Sequence, residues 1–395
     1  MSGRPVDASA FLAAAGAGAA DWDGAGSLPI ELIRGAGRAG LLAADLPHRY
    51  GGSGATALGL GELSAAAGGV CSSLRALVTV QGMVAAAVLR WGAAAQRETW
   101  LPRFASGEVV AAFGATEPGA GSELTAVRTR IEPAGPEVRI TGRKIWVTFG
   151  AVADVVLVLG RLDGAPAAVL VEADRPGLRR EPVRGQLGMR AAHVAHLDFD
   201  DVPVPRANLV AAPGFGLTHV AGTALDHGRY TVAWGCVGLA SACQRLATGH
   251  ALSRVQDGVR LADHQLVRAM LARAFVDVTA AEQLCRRAAA LRAAGDPEWL
   301  VATVMAKYAA ARTAATVSRD AVQIHGSAGC GADSAVGRFL RDAAVMQIIE
   351  GSHEVSEMHI ADHVLRGYRS TTSAGSTSAG STSAGTEPIA SGAVR

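Results

Sequence analysis

Lysine is almost missing from this chain. Lys144 and Lys307 are the only two in 395 residues, so arginine carries nearly all of the 37 basic charges. With 48 glycines and abundant alanine, this reads as high-GC coding bias rather than a functional signal. A surplus of either charge is also missing. The formal net charge of +2 gives no reason to expect nucleic acid or an anionic membrane as a partner. Cysteine is sparse and unpaired in pattern. Cys71, Cys236, Cys243, Cys285 and Cys330 form no CxxC, which reads as reduced thiols in a cytoplasmic protein.

Long apolar runs are lacking. ALVTVQGMVAAAVL is short and is interrupted by Gln81 and Gly82, so no membrane span is expected. The opening MSGRPVDASAFLAAAGAGAADWD is mostly alanine and glycine, with Asp7 where a signal peptide wants a positive flank, and is discounted as one. Metal ligands in register are absent as well. His359 and His363 stand at i, i+4 without a third ligand, and His193 and His196 add none, so no metal is expected.

What is present is ample core: 49% hydrophobic and 18% charged residues, enough for two or three domains. Residues 28–112 are Ala/Leu-rich helical stretches separated by turns such as PHRYGGSG. EVRITGRKIWVTFG, ADVVLVLGRL, AAVLVEA and VAHLDFDDVPVP are short β-rich runs. Long helical patterns return from about 216 to 366. The expected fold is therefore α+β and multidomain: an α domain over 1–112, a β domain over 113–213 and an α domain over 214–368. The Ser/Thr/Ala/Gly repeat over 369–395 has no core-forming residues and reads as a disordered tail. GAGRAG at 35–40 fits G-x-G-x-x-G, but SLPIELIR before it reads as a helix start rather than a strand, which argues against a dinucleotide fold.

Three stretches carry candidate chemistry. AAFGATEPGAGSEL (111–124) leads Phe113 and Thr116 into a loop with Gly119, Gly121 and Ser122, which can offer N–H groups and hydroxyls to an anionic or carbonyl-rich ligand. RKIWVTFG (143–150) sets Trp146 and Thr148 on one face of a strand, suited to a flat heterocycle or to a plain core. MQIIEGSHEVSE (346–357) ends an apolar run on Glu350. A carboxylate there caps a helix, faces solvent, or is employed.

Together these segments resemble the acyl-CoA dehydrogenase family over roughly residues 28–366. The matching pieces, in family order, are LPIELIRGAGRAGLLAADLPHRYGGSG, ATEPGAGSE, ITGRKIWVTFGAVAD, LGMRAAHVAHLDFDDVPVPRANLV, GFGLTHVAGTALDHGRYTVA, QIHGSAG, RFLRDAAVMQIIEGSHE and IADHVL. The resemblance implies an α domain, a β barrel and a four-helix α bundle, assembled as a homodimer or homotetramer around FAD. It implies Phe113, Ala115, Thr116, Gly121 and Ser122 along the flavin, and Trp146, Val147 and Thr148 over its ring. It assigns Arg254, Gln256, His264, Gln265, Gln323, Ile324, His325, Gly326 and Ser327 to the FAD of a partner subunit, and adds Ser352 and Glu354 to the cofactor set. Ser122, Asp226, Arg229 and Gly351 are implied near the substrate.

Glu350 occupies the place of the family's general base, taking the proton α to a thioester carbonyl. Its backbone N–H is implied as a donor to the thioester oxygen. The alternative base position, in LDHGR, holds Gly228. Departures from the family pattern are Asp257 for a phenylalanine, Ser327 for a glycine, DSAVGR for EYPVER and Ser352 for a threonine. HGRYTVAWGCVG (227–238) and IIEGSHE resemble a branch acting on acyl-carrier-protein thioesters in hydroxymalonyl or methoxymalonyl extender-unit synthesis. A short-chain, degradative acyl-CoA dehydrogenase and a non-catalytic flavin-bearing assembly factor stand as alternatives.

Overall fold

Residues 8–377 are described by the structure, a computed structural model. The first part is helical: α1 Ala8–Gly16, α2 Ala19–Ala25, α3 Ile30–Arg38, α4 Ala57–Val70, α5 Ser72–Trp91 and α6 Ala94–Ser106. GAGRAG lies largely within α3, so Gly35 and Gly37 are helical, and Gly40, at φ 72°, turns the chain out of the helix rather than opening a phosphate loop. Gly37 admits the carbonyl of Ser106, where a Cβ would overlap it. The Thr56 hydroxyl caps α4 by accepting from Gly59 N at 3.1 Å. α5 is longer than the sequence pattern suggested. By length and composition it could cross a membrane, yet 89% of its most apolar window is buried within the protein, which makes it a core helix.

The middle part is a mixed sheet. Its strands are β1 Ala111–Gly114, β2 Arg130–Ala134, β3 Glu137–Val147, β4 Val155–Leu162, β5 Ala165–Glu172, β6 Leu178–Pro182, β7 Ala195–Pro205 and β8 Leu209–Val210. The order is β6-β7-β3-β2-β4-β5-β8, with β1 parallel to β4. β4 and β5 pair antiparallel through eight residue pairs and are buried almost throughout, as the VVLVL and AAVLV runs require. Gln81 fastens β1 to α5: its Oε1 accepts from Ala111 N at 2.9 Å, and its Nε2 donates to the carbonyls of Phe104 and Val109.

After a π-helical turn over 216–221 comes α7 Gly222–Ser253, then the short β9 Val255–Gln256 and β10 Val259–Arg260 hairpin. α8 Gln265–Ala294, α9 Trp299–His325, α10 Ala335–Met346 and α11 His353–Thr377 complete the chain. α9 packs on α7, α8, α10 and α11, giving the helical bundle its centre. α11 runs past Tyr368 to Thr377, into the stretch read as tail; residues 1–7 and 378–395 lie outside the described residues.

Small residues let α4 and α5 close on α7. A Cβ at Gly68 would overlap the Gly235 carbonyl, and one at Gly238 would overlap the Ala65 carbonyl. Packing this tight tolerates no added methyl. Gly238→Ala should therefore destabilise the protein by about 1–3 kcal/mol, the usual cost of overpacking. Thermal melting checks this, and an unchanged Tm would show that the two helices can part.

Candidate functional site

The turn after α10 carries the most unusual chemistry in the chain. Glu350 has a left-handed backbone, φ 57°, followed by Gly351 at φ 94°. Such a conformation in a non-glycine residue costs energy and is kept where the surroundings over-determine it. Here two cations do so. Arg229 Nε donates to the Glu350 carbonyl at 3.0 Å, and Lys307 Nζ donates to the Gly351 carbonyl at 2.6 Å.

Both cations grip main-chain oxygens, which leaves the carboxylate unpaired. Glu350 Oε2 is buried without a hydrogen-bond partner. It lies against α7 at Gly228, where a Cβ would collide with it, so the glycine makes the room. Burial pushes the Glu350 carboxyl up to about 7, although Arg229, Lys307, Arg75 and His227 pull the other way. Burial likewise pushes the Lys307 ammonium down to about 8, against Cys236 and Glu350. An acid near neutrality in a dry position can take a proton and hold it.

On the β-domain side, the loop after β1 is built around a second buried charge pair. Lys144 Nζ meets Glu117 Oε1 at 2.7 Å and donates to the Ala115 carbonyl at 3.1 Å. Glu117 also accepts from Arg128 N and Thr129 N at 2.7 and 2.9 Å, and from the Thr129 hydroxyl. Burial alone would raise its pKa, but these donors outweigh burial and hold it below the usual carboxylate range. Burial lowers Lys144 to about 8, with Glu117 opposing. The carboxylate thereby folds 115–129 into a fixed loop, leaving Gly121 and Ser122 exposed at its tip.

Trp146 and Thr148 do not share a strand face as the alternation suggested. The β3–β7 register shifts between Lys144 and Val147, Trp146 has φ 56°, and the strand ends at Val147. The kink turns the indole outward, 56% exposed, edge-on to His196, whose Nδ1 accepts from Trp146 N at 3.2 Å. Val147 and Ala115 are buried, while Phe113, Thr116 and Thr148 are half-buried near the same end of the sheet.

A third group gathers at the opposite end of α7. The C-terminal ends of α7 and α9 are joined by a stacked pair, His250 and His325, with ring centroids 4.4 Å apart. Arg254, Gln256, Gln265, Gln323, Gly326 and Ser327 stand exposed there. His264 precedes α8, and its Nε2 is buried without a partner. Ile324 packs into the core instead.

Other expected residues have partners within the protein. Asp226, expected beside the acyl group, is clasped by both Arg292 nitrogens at 2.7 and 2.9 Å, so its oxygens face α8. Ser352 precedes α11, its hydroxyl accepting from Val355 N at 3.4 Å, and the exposed Glu354 is held below its ordinary pKa chiefly by that serine. Sequence reasoning passed over Lys307, Glu117 with Lys144, and Arg75. The scarcity of lysine was a usable signal, because both lysines are buried here.

The α–β–α fold thus carries an open aromatic face at Trp146 and, at the turn after α10, a buried carboxylate raised toward neutrality at Glu350. Comparison with known proteins gives the family. The acyl-CoA dehydrogenase N-terminal, middle and C-terminal domains match residues 7–108, 112–202 and 216–365, and the chain belongs to the acyl-CoA dehydrogenase family. The short-chain specific acyl-CoA dehydrogenase of Mus musculus mitochondria is 32% identical over 352 residues, covering 87% of this chain and 84% of its own. Among solved structures, FkbI, for biosynthesis of a methoxymalonyl extender unit of a polyketide immunosuppressant, is 40% identical. It covers 91% of this chain and 99% of its own, with a TM-score of 0.86. Butyryl-CoA dehydrogenase from Megasphaera elsdenii is 28% identical, covers 92% of this chain and 100% of its own, and has a TM-score of 0.86.

The family's members are oxidoreductases acting on CH–CH bonds with FAD. The residues present fit that group: the outward indole of Trp146 offers a flat apolar face, and the loop held by Glu117 leaves Gly121 and Ser122 exposed at its tip.

Replacing Lys144 by alanine should strand the Glu117 carboxylate in the interior, costing about 3–5 kcal/mol. Thermal melting and flavin content should fall together; an unaltered loop would leave both intact. A second expectation follows from Glu350. Its folded pKa stands above the ordinary 4.5, so between about pH 4.5 and 7 the folded chain keeps a proton that the unfolded chain has released. Stability therefore declines as pH rises through that window and levels off above it. Glu350→Gln should slow flavin reduction on the order of 10²–10⁴-fold and melt higher than the wild type above pH 7. Melting curves across pH, with stopped-flow bleaching, check both signs.

Proposed function

We propose that this chain is an FAD-dependent dehydrogenase of a short, oxygen-bearing acyl thioester held on an acyl carrier protein, serving polyketide extender-unit synthesis of the hydroxymalonyl or methoxymalonyl type. The observation that carries this reading is the 40% identity to FkbI across nearly the whole chain, against 28% to butyryl-CoA dehydrogenase. In this reading the enzyme works in the cytoplasm.

Glu350 takes the proton α to the thioester carbonyl. Its backbone N–H, in a turn gripped by Arg229 and Lys307, donates to the thioester oxygen as charge develops there. Bound FAD would supply the acceptor for the hydride that leaves the β-carbon. Phe113, Ala115, Thr116, Gly121 and Ser122, with Trp146, Val147 and Thr148, would hold the flavin. Gly351 lets the acyl chain run close to backbone.

Arg254, Gln256, His264, Gln265 and 323–327 would contact the FAD of a second subunit. Gly228 and Arg254 lie at opposite ends of α7, and at a rise of ~1.5 Å per residue that is roughly 40 Å, too far for one dinucleotide to touch both. This separation supports a homodimer or homotetramer.

Recognition of a carrier protein rests on the pantetheine arm and a protein surface rather than on the CoA nucleotide. Anaerobic flavin reduction should be fast with a three-carbon hydroxylated acyl group on the carrier. The same group on CoA should react about 10²-fold more slowly, because the contacts that orient the thioester are missing. Butyryl-CoA should be poor on both counts. Efficient bleaching by butyryl-CoA, with no preference for carrier substrates, would replace this reading with short-chain degradative dehydrogenation.

A further inference from the structure

The chain enters α7 through the π-helical turn Gly216–Ala221, a rare geometry met mostly at functional sites. His219 N and Val220 N both donate to the Phe215 carbonyl, at 3.1 and 3.2 Å. The turn is pinned from behind. A Cβ at Gly216 would overlap the backbone of Ala167 on β5. Leu217 and Ala221 pack against Ala115, Ala120 and Val127, in the loop that carries Gly121 and Ser122.

To solvent the turn shows aromatic rings and cations. Phe215 is 43% exposed, with its ring 4.6 Å from His219. His219 in turn stands edge-on to Trp91, at 4.7 Å. Trp91 Nε1 donates to Thr223 Oγ1 at 2.8 Å, which ties the end of α5 to the start of α7. The Arg90 guanidinium lies over the Trp91 ring, 5.3 Å from its centroid. Beside it, Arg97 Nη1 donates to the Leu89 carbonyl at 3.3 Å, and neither arginine forms an ion pair among the described residues. Trp, Phe and Arg are the residue types that anchor protein interfaces, and two cations without counter-charges call for carboxylates opposite.

This face also stands at a useful distance from the base. From His219 to Gly228, which lies under the Glu350 carboxylate, the helix runs roughly 14 Å at ~1.5 Å per residue. An extended pantetheine arm bridges such a span. We propose that Arg90, Trp91, Arg97 and Phe215 form the docking face for the acyl carrier protein. Acidic side chains of the carrier meet the two guanidinium groups, and its arm runs along α7 to Glu350. The rings give the contact an apolar centre, and the arginines steer the approach, so the attraction weakens as salt rises. This inference rests on the carrier-protein reading and adds where on the enzyme the carrier sits.

The test uses the full-length, FAD-loaded enzyme and a single acyl group, a three-carbon hydroxylated one. That group is presented on an acidic acyl carrier protein or on pantetheine alone, and anaerobic flavin reduction is followed at low salt. The double variant Arg90→Glu/Arg97→Glu should lower the second-order rate constant for the carrier substrate about 10- to 100-fold, and that for the pantetheine substrate by less than about threefold. Phe215→Ser should slow the carrier substrate about 10-fold and leave the pantetheine one alone. Raising the ionic strength should slow the wild type with the carrier substrate and leave the charge-reversed enzyme nearly unchanged. A carrier preference that survives both variants would overturn this inference and leave the extender-unit reading in place. A wild type that does not prefer carrier over pantetheine would overturn both. Equal slowing of the two substrates also counts against docking, because a face that only seats the carrier does not alter the reaction of the free arm. Should the double variant fail to retain flavin, Phe215→Ser decides, and an unchanged carrier rate there overturns the proposal.

Discussion

One arrangement governs the site: two cations hold the Glu350 turn by its carbonyl oxygens rather than by its carboxylate. Had Arg229 or Lys307 paired with the side chain, the carboxyl would be held low and would be a feeble base. By bonding to the main chain at Glu350 and Gly351 they fix a left-handed turn that would otherwise relax, and they leave the carboxylate to the desolvation that raises it to about 7. Gly228 completes the arrangement by removing the one side chain that would occupy the carboxylate's place on α7. Changes at α7, α9 or the turn therefore converge on the same group, though each touches it differently.

Much of the architecture was legible because periodicity and motif order survive in a chain biased toward alanine and glycine. The α–β–α order follows directly from the change in texture near 113 and again near 216, and the three family domains fall on those parts. GAGRAG was readable as helix because Pro29 and the apolar spacing at Ile30 and Ile33 outweigh a glycine pattern. Glu350 draws notice because an apolar run ends on it, but only the family resemblance implies a role for its carboxylate.

Illegible in the sequence were features set by tertiary contact. The kink at Trp146 is a register shift between two strands and leaves no local trace. Asp226 looks free in LDHGR, and only the return of α8 brings Arg292 against it. Arg75 reads as an ordinary helical arginine within SSLRALVTV until the packing of α5 on α7 shows that it has no solvent to face.

The cations around the site divide their work by what they can reach. Each is a positive field near Glu350, and together they lower its pKa without winning against burial. A base that sheds its proton too readily would abstract poorly, and one quenched by an ion pair would not abstract at all; the site lies between these limits. In the proposed reaction the base would become neutral on taking a proton, and the same fixed charges would face the substrate charge that appears there. Their orientation is already set by backbone carbonyls and, for Arg75, by the Thr79 hydroxyl, so little reorganisation is needed at that moment, which is the condition under which buried charges stabilise a transition state most.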